Sequence, residues 1–112
     1  MKPQPFRRPN WERVPHEGCR NVDHRVLMVR PDLGLVLLRF SGHATIHQHS
    51  APHPIDVFCL EGHGHVLCGG ETNTISSGEW LRWPAGIEHC LWTEGSSMIT
   101  LMAEYVNGVA PP

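Results

Sequence analysis

Three histidines have the residue type and the spacing of a metal site. His47 and His49 form a His-x-His pair, and His89 follows much later in the chain. On a β-strand, residues i and i+2 share a face with their Cα atoms about 7 Å apart, so both imidazoles of the pair can reach one ion. Neutral imidazole is the commonest protein ligand for transition metals. The pattern predicts metal chemistry, provided that the fold brings His89 to the same place.

The composition favours short strands over helices as the elements that position these residues. The 112 residues include 11 Gly and 10 Pro, both of which interrupt helix interiors. From His24 onward, apolar segments alternate with turn residues at roughly 8–12-residue spacing, which is typical of a sandwich or barrel. The predicted strands are 24–30, 33–42, 43–49, 55–61, 65–70, 72–76, 79–84, 87–92 and 98–106. We expect an all-β barrel or jelly roll over 23–112, preceded by an extended N-terminal arm over 1–22.

Charge, hydropathy and cysteine usage exclude several classes of protein. Nine Lys and Arg against eleven Asp and Glu give a net charge of −2, which provides no basic field for nucleic acid or an anionic membrane. No apolar run is long enough to span a bilayer, and the N-terminal residues lack the apolar stretch of a signal peptide. The four cysteines form no CxxC. We therefore expect a cytoplasmic protein with free thiols and a small-molecule partner.

The segment from Gly78 to His89 carries the strongest pattern in the chain. Gly78 opens a strand, Pro84 ends it, and Gly86 supplies a tight turn. His89 then follows in the next strand, on the face that it shares with Ile87 and Leu91. These apolar neighbours predict that the face points inward, and a buried imidazole needs a hydrogen-bond partner or a metal.

This spacing resembles the cupin family, and the resemblance covers about residues 34–106. The second motif of that family is G-x5-P-x-G-x2-H-x3-N, and only its last position departs here, where the sequence has Thr93. The matched positions are Gly78, Pro84, Gly86 and His89. The resemblance implies a double-stranded β-helix, or jelly-roll barrel, that forms a homodimer. It also implies dioxygenase-, isomerase- or lyase-type chemistry. A histidine-rich site with open positions can bind a divalent transition metal, namely Fe, Mn, Ni, Cu or Zn.

The first cupin motif, G-x5-H-x-H-x3,4-E-x6-G, lacks its glutamate in this sequence. The chain matches His47, His49 and the closing Gly62, and four residues rather than five separate Gly42 from His47. The spacing to either side puts the missing glutamate at residue 53, 54 or 55, where the sequence has His, Pro and Ile.

Strand alternation ranks the candidates for the fourth ligand. If Ile55 faces inward, His53 does too, while Asp56 faces outward. The sequence therefore predicts a site of His47, His49, His53 and His89. Two alternatives stay open: Asp56 completes the site if a bulge near Pro54 changes the alternation, or three histidines form the site alone.

Three functions are compatible with these residues. The first is a metal-dependent enzyme on a small organic substrate, in which Tyr105 or Glu104 from the last strand is the candidate general base. The second is a module that binds or senses a metal or a small ligand without turnover. The third is a metal-free cupin whose histidines are hydrogen-bonded. The absence of a carboxylate ligand argues against the 2-His-1-carboxylate type of Fe(II) oxygenase.

The remaining histidines and two of the cysteines are given structural or surface roles. We expect His63 and His65 in an exposed hairpin turn around Gly64. The isolated histidines, which are His16, His24 and His43, are expected at the surface. Cys59 is predicted to pack in the core, and Cys90 is predicted to face away from the site because it alternates with His89.

Overall fold

The computed structural model describes all residues 1–112 and consists of eight β-strands joined by turns and loops. The strands are β1 (Glu12–Arg13), β2 (Arg20–Val29), β3 (Gly34–His49), β4 (Ile55–Cys68), β5 (Glu71–Ser76), β6 (Trp80–Trp83), β7 (His89–Trp92) and β8 (Met98–Glu104). All paired strands are antiparallel. The prediction of an all-β chain is confirmed. No helix is present that could cross a membrane.

The two longest strands close the barrel. β3 pairs with β8 through its first half and with β7 through its second half. β4 pairs with β6 and β8 first, and then with β5 and β7. Because β7 and β8 each lie between β3 and β4, the four strands form a closed ring. The two sheets are β1-β2-β3-β8-β4-β6 and β3-β7-β4-β5, which is the predicted jelly-roll arrangement.

β3 and β4 bend at the positions where the sequence predicts turns. The prediction of separate strands over 33–42 and 43–49, and over 55–61 and 65–70, is wrong, because each pair forms one continuous strand. At the bend of β3, His43 has a φ of 56°, and at the bend of β4, Gly62 has a φ of 74°. A Cβ at Gly62 would overlap the carbonyl oxygen of Ser97. The local turn signals therefore move the chain from one sheet to the other instead of reversing it.

Two hydrogen bonds of Thr93 stabilise the bend of β3. Its buried hydroxyl donates to the carbonyl oxygen of Ser41 at 2.6 Å and accepts from the backbone N–H of Ala44 at 3.1 Å. These two backbone groups lie on either side of Gly42 and His43. Thr93, which stands where the second motif has asparagine, thus has a structural role in this chain.

The core confirms the alternation predicted for β4. Ile55, Val57 and Cys59 are buried in one apolar cluster, and Cys59 packs there as predicted. Burial raises the pKa of the Cys59 thiol. All four cysteines are free.

The N-terminal segment folds against the barrel. β1 pairs with β2, and β2 pairs with β3 from Arg20 onward, so the segment expected as an arm includes β1 and the start of β2. The indole ring of Trp11 lies 4.9 Å from the guanidinium carbon of Arg25 and 4.4 Å from that of Arg39. These cation–π contacts hold the segment on the first sheet.

Candidate metal centre

A cavity of about 340 Å³ lies in the barrel and brings His47, His49 and His89 together. Its walls combine apolar side chains with imidazoles and one thiol. The other lining residues are Val14, His16, Cys19, His24, Val36, Leu38, Ile46, Ile55, Trp83 and Met102.

A β-bulge on β3 aims the His-x-His pair at this cavity. The Cα partners on β7 step from Ile46–Leu91 to His49–His89, so β3 has one extra residue between them. In a bulge the strict alternation of faces is interrupted, and Ile46 and His47 both line the cavity. The ring centroids of His47 and His49 are 5.0 Å apart, and those of His49 and His89 are 4.5 Å apart.

His89 is buried and both of its ring nitrogens lack a hydrogen-bond partner. Its relative exposure is 1%, and the ring of Trp83 stacks on it with a centroid distance of 3.9 Å. Burial lowers the pKa of His89 to about 4; the nearby His49 adds to this effect, and a backbone contact with Ile87 partly opposes it. The imidazole is therefore neutral at pH 7, which is the form that ligates a metal.

The other two imidazoles have one ring nitrogen engaged each. His49 Nδ1 lies 2.8 Å from the carbonyl oxygen of His47. Since a carbonyl oxygen can only accept, Nδ1 donates this hydrogen bond, and Nε2 is the ring nitrogen of His49 that could face a metal. His47 Nδ1 lies 3.7 Å from the Sγ of Cys19.

The donor set fits a transition metal in its chemistry. No three His, Cys, Asp or Glu side chains are positioned in the structure to hold an ion together. Two observations nevertheless favour a ligand: the unpartnered nitrogens of His89 are costly to bury, and neutral imidazoles suit Zn, Cu, Fe and Ni. Ligation by these residues stays a prediction that requires the rings to turn toward one point.

His53 does not reach the cavity. The chain bends at Pro52 and His53, and β4 begins only at Ile55, whose side chain lines the cavity wall. The expected alternation through residue 53 needs an extended backbone there, and the bend interrupts it. The structure therefore gives no support to His53 as a fourth ligand.

The buried carboxylate of Asp56 is bound by Arg82 and Tyr105, and none of these three residues lines the cavity. Asp56 is 3% exposed and accepts from Arg82 Nε at 2.6 Å, from Arg82 Nη2 at 3.0 Å and from the Tyr105 hydroxyl at 2.6 Å. The hydrogen bonds from Arg82 hold the pKa of Asp56 below its ordinary value, whereas burial and the Asp56 carboxylate raise the pKa of Tyr105. This placement argues against Tyr105 as the general base and against Asp56 as a ligand.

Sequence reasoning missed three residues at the cavity, namely His16, Cys19 and His24. Both histidines were expected at the surface: His16 is exposed, as expected, and also lines the cavity, whereas His24 is half-buried. His24 had a signal, since it alternates on β2 with Val22, which is fully buried. His16 and Cys19 had none, because a loop outside the barrel brings them there.

Two further expectations about neighbouring residues are corrected. His63 and His65 do not form a hairpin turn: both lie within β4 and pair with β5. Ile87 is 38% exposed and precedes β7, so the inward face that holds His89 includes Leu91 but not Ile87. Cys90 points away from His89, as predicted, and its Sγ donates to the carbonyl oxygen of Ile46 at 2.8 Å.

Comparison with known proteins defines the fold. No protein-family model and no curated protein matches the sequence. The polyketide cyclase RemF from Streptomyces resistomycificus matches with a TM-score of 0.83 and 22% identity, over 100% of this chain and 82% of its own. KdgF from Halomonas sp. matches with a TM-score of 0.76 and 20% identity, over 86% of each chain. Rru_A2000 from Rhodospirillum rubrum, a cupin-2 domain, matches with a TM-score of 0.80 and 16% identity, over 100% of this chain and 82% of its own. The chain therefore has the cupin fold that the motifs predict.

Proposed function

We propose that this chain binds a divalent transition metal through His47, His49 and His89 and uses it on a small organic substrate. The observation that supports this proposal most strongly is at His89, a buried, neutral imidazole with two unpartnered nitrogens that shares its cavity with the imidazoles of His47 and His49. A buried polar ring of this kind is stabilised when a ligand takes its lone pair.

The cavity supports a small, largely apolar substrate. Its volume of about 340 Å³ is at the lower end of ligand pockets, which are roughly 300–1,000 Å³. Val36, Leu38 and Met102 supply apolar wall on one side. A metal at the imidazoles would polarise a carbonyl or enolate oxygen of such a substrate, or lower the pKa of a bound water. The polyketide cyclase among the fold neighbours is an enzyme on this architecture, which favours the catalytic form of the proposal.

A second candidate function, a binding module without turnover, is favoured by one observation. The cavity lining contains no carboxylate, lysine or tyrosine, and the hydroxyl of Tyr105 is committed to Asp56. Apart from the three histidines, only His16, Cys19 and His24 could exchange a proton with a bound molecule. An enzyme would have to use one of these or the metal itself.

Metal uptake tests the shared part of the two functions. The purified chain, supplied in turn with Fe(II), Mn(II), Ni(II), Cu(II) and Zn(II), should retain one ion per chain after gel filtration. His89→Ala should abolish uptake, while His63→Ala, on the exposed part of β4, should leave it unchanged. Absence of any retained metal in the wild-type chain would refute the proposal.

Turnover separates the enzyme from the module. Oxygen uptake and product formation by the metal-loaded chain would be measured against diketones, catechols and sugar acids. Metal-dependent turnover that His89→Ala removes supports the enzyme. Stoichiometric metal binding with no turnover of any compound in the panel favours the binding module.

A further inference from the structure

A turn from the N-terminal segment holds Cys19 against the His-x-His pair. The backbone N–H of Cys19 donates to the carbonyl oxygen of His16 at 3.1 Å, and Gly18 between them has a φ of 85°. A Cβ at Gly18 would lie only 2.9 Å from the Cβ of His47. Residue 18 must therefore be glycine both for the backbone of the turn and for its close packing on His47.

The separation of Cys19 and His47 matches that of two ligands on one ion. Sγ of Cys19 and Nδ1 of His47 are 3.7 Å apart. A tetrahedral ion that holds a thiolate at about 2.3 Å and an imidazole nitrogen at about 2.0–2.1 Å keeps these atoms about 3.6 Å apart. The distance between these two atoms is thus that of two ligands of one ion, with His47 ligating through Nδ1, while the other histidines would have to turn toward them to complete the site.

A second, independent observation indicates a ligand in the same cavity. His89 is 1% exposed, lines the same cavity and has no partner for either ring nitrogen. The cavity also lacks an anionic ligand, because it contains no carboxylate and Asp56 is bound to Arg82 and Tyr105 elsewhere. Three neutral imidazoles leave the full charge of a divalent ion uncompensated, and a thiolate would offset half of it.

We propose that the thiolate of Cys19 is the anionic ligand of this metal centre and takes the place of the glutamate that the first motif lacks. The inference rests on the proposed metal binding by His47, His49 and His89. A mixed thiolate and imidazole set selects thiophilic ions, of which Zn(II) is the tetrahedral divalent case. With four protein ligands, a substrate oxygen can bind only if zinc expands to five-coordination or Cys19 leaves.

Co(II) is the probe that tests the sulfur ligand directly. Thiolate ligation to Co(II) gives an intense charge-transfer absorption in the near ultraviolet, and ligation by imidazole alone does not. The full chain and the variants Cys19→Ser, Cys19→Ala and Cys90→Ser would be titrated with Co(II). Cys90 is the matched control, since its thiol is bonded to the backbone of Ile46 and does not line the cavity.

If Cys19 is a ligand, the charge-transfer band should appear in the wild type and in Cys90→Ser and should be lost in both Cys19 variants. Loss of a ligand should weaken Co(II) binding at least as much as loss of an outer-shell partner, about 10- to 100-fold. If Co(II) binds but the band is absent, or survives in the Cys19 variants, Cys19 is not a ligand and the histidine site stands alone. If none of the proteins binds Co(II) or Zn(II), metal binding itself is refuted, and the role of Cys19 with it.

Thiol protection in the unaltered chain gives a readout that needs no variant. Zn(II) should slow the alkylation of Cys19 by iodoacetamide, as read by peptide mass spectrometry, and leave the alkylation of Cys68 unchanged. Equal rates at Cys19 with and without Zn(II), under conditions where Zn(II) binds, would overturn the proposal. In that case the 3.7 Å contact is only a weak thiol–imidazole hydrogen bond.

Discussion

The indole ring of Trp83 lies parallel to the imidazole ring of His89, with centroids 3.9 Å apart and an interplanar angle of 3°. A metal on His89 would therefore lie close to this indole. We expect Cu(II) or Co(II) to quench part of the tryptophan fluorescence on binding. Trp83→Phe should remove most of the metal-dependent quenching, because the other three tryptophans lie outside the cavity.

Trp80 provides the control for this experiment. Its side chain is 54% exposed and stacks on Phe58, away from the three histidines. Trp80→Phe should retain the quenching. The same quenching in Trp83→Phe as in the wild type would show that the metal binds somewhere other than beside His89.

Thr93→Val should destabilise the barrel by about 1–3 kcal/mol, because it removes the bridge between Ser41 and Ala44 and leaves the buried backbone N–H of Ala44 without this acceptor. The measurement is the free energy of unfolding in urea. Thr93→Ser keeps the hydroxyl and should retain most of the stability. Equal losses in the two variants would mean that the methyl group, rather than the hydrogen bonds, is what the bend requires.

Gly62→Ala should be among the most damaging small substitutions in the chain. The left-handed backbone of residue 62 alone costs about 1–2 kcal/mol for a residue with a Cβ. The overlap of that Cβ with the carbonyl oxygen of Ser97 adds to this cost, since a backbone atom cannot move aside freely. Thermal unfolding should show a large decrease in Tm.

Gly70→Ala is the matched control for that substitution. A Cβ at Gly70 has no heavy atom within 4 Å, and the residue does not adopt a positive φ. Its effect should stay within about 0.5 kcal/mol, as for other surface substitutions. A stable Gly62→Ala variant would contradict the account of the β4 bend.

Asp56 should make the fold sensitive to acid. Its pKa is lowered in the folded state, so its contribution to stability is fully present above the pKa of the unfolded chain, near 3.8, and is lost as the pH falls through the folded value. Asp56→Asn should reduce stability at pH 7, where Arg82 loses its charged partner, and should flatten the decline below pH 4. Urea unfolding across this range provides the measurement.

Asp32 is an exposed carboxylate suited to the comparison. Asp32→Asn should leave the acid decline as it is in the wild type. Tyr105→Phe removes one donor to Asp56 and should reduce the acid-sensitive part without abolishing it, because both Arg82 hydrogen bonds remain. An unchanged acid profile in Asp56→Asn would contradict this prediction.

The fold was largely predictable from the chain because its signals are local. The strand boundaries are marked, in the order of a known motif, by Gly78, Pro84 and Gly86. The inward face of β4 was identified by the alternation of Ile55, Val57 and Cys59. The error at Ser41–Gly42 and Gly62–Gly64 has one cause: a turn signal in the sequence does not say whether the next segment pairs with the previous one. In both places it pairs with a different strand.

The site residues were predictable only where they lie in strands with a regular alternation of faces. Regular alternation extends to His89 but stops before His53, where the chain bends at two residues that precede β4. The position of Cys19 depends on a turn of the N-terminal segment that packs onto His47, and such a long-range contact has no periodic signature. The bulge at His47 could not be predicted for the same reason, because it consists of a shift in the pairing of β3 with β7.

Because both sheets share β3 and β4, the two sheets are coupled when the barrel unfolds. Neither sheet can open without breaking hydrogen bonds that continue into the other, so the barrel should unfold as one cooperative unit. Slowly exchanging amides in the two sheets should report the same free energy of opening. Most pairings also join residues far apart in sequence, so the chain must close long loops before it gains these bonds, and folding should be slow for its size.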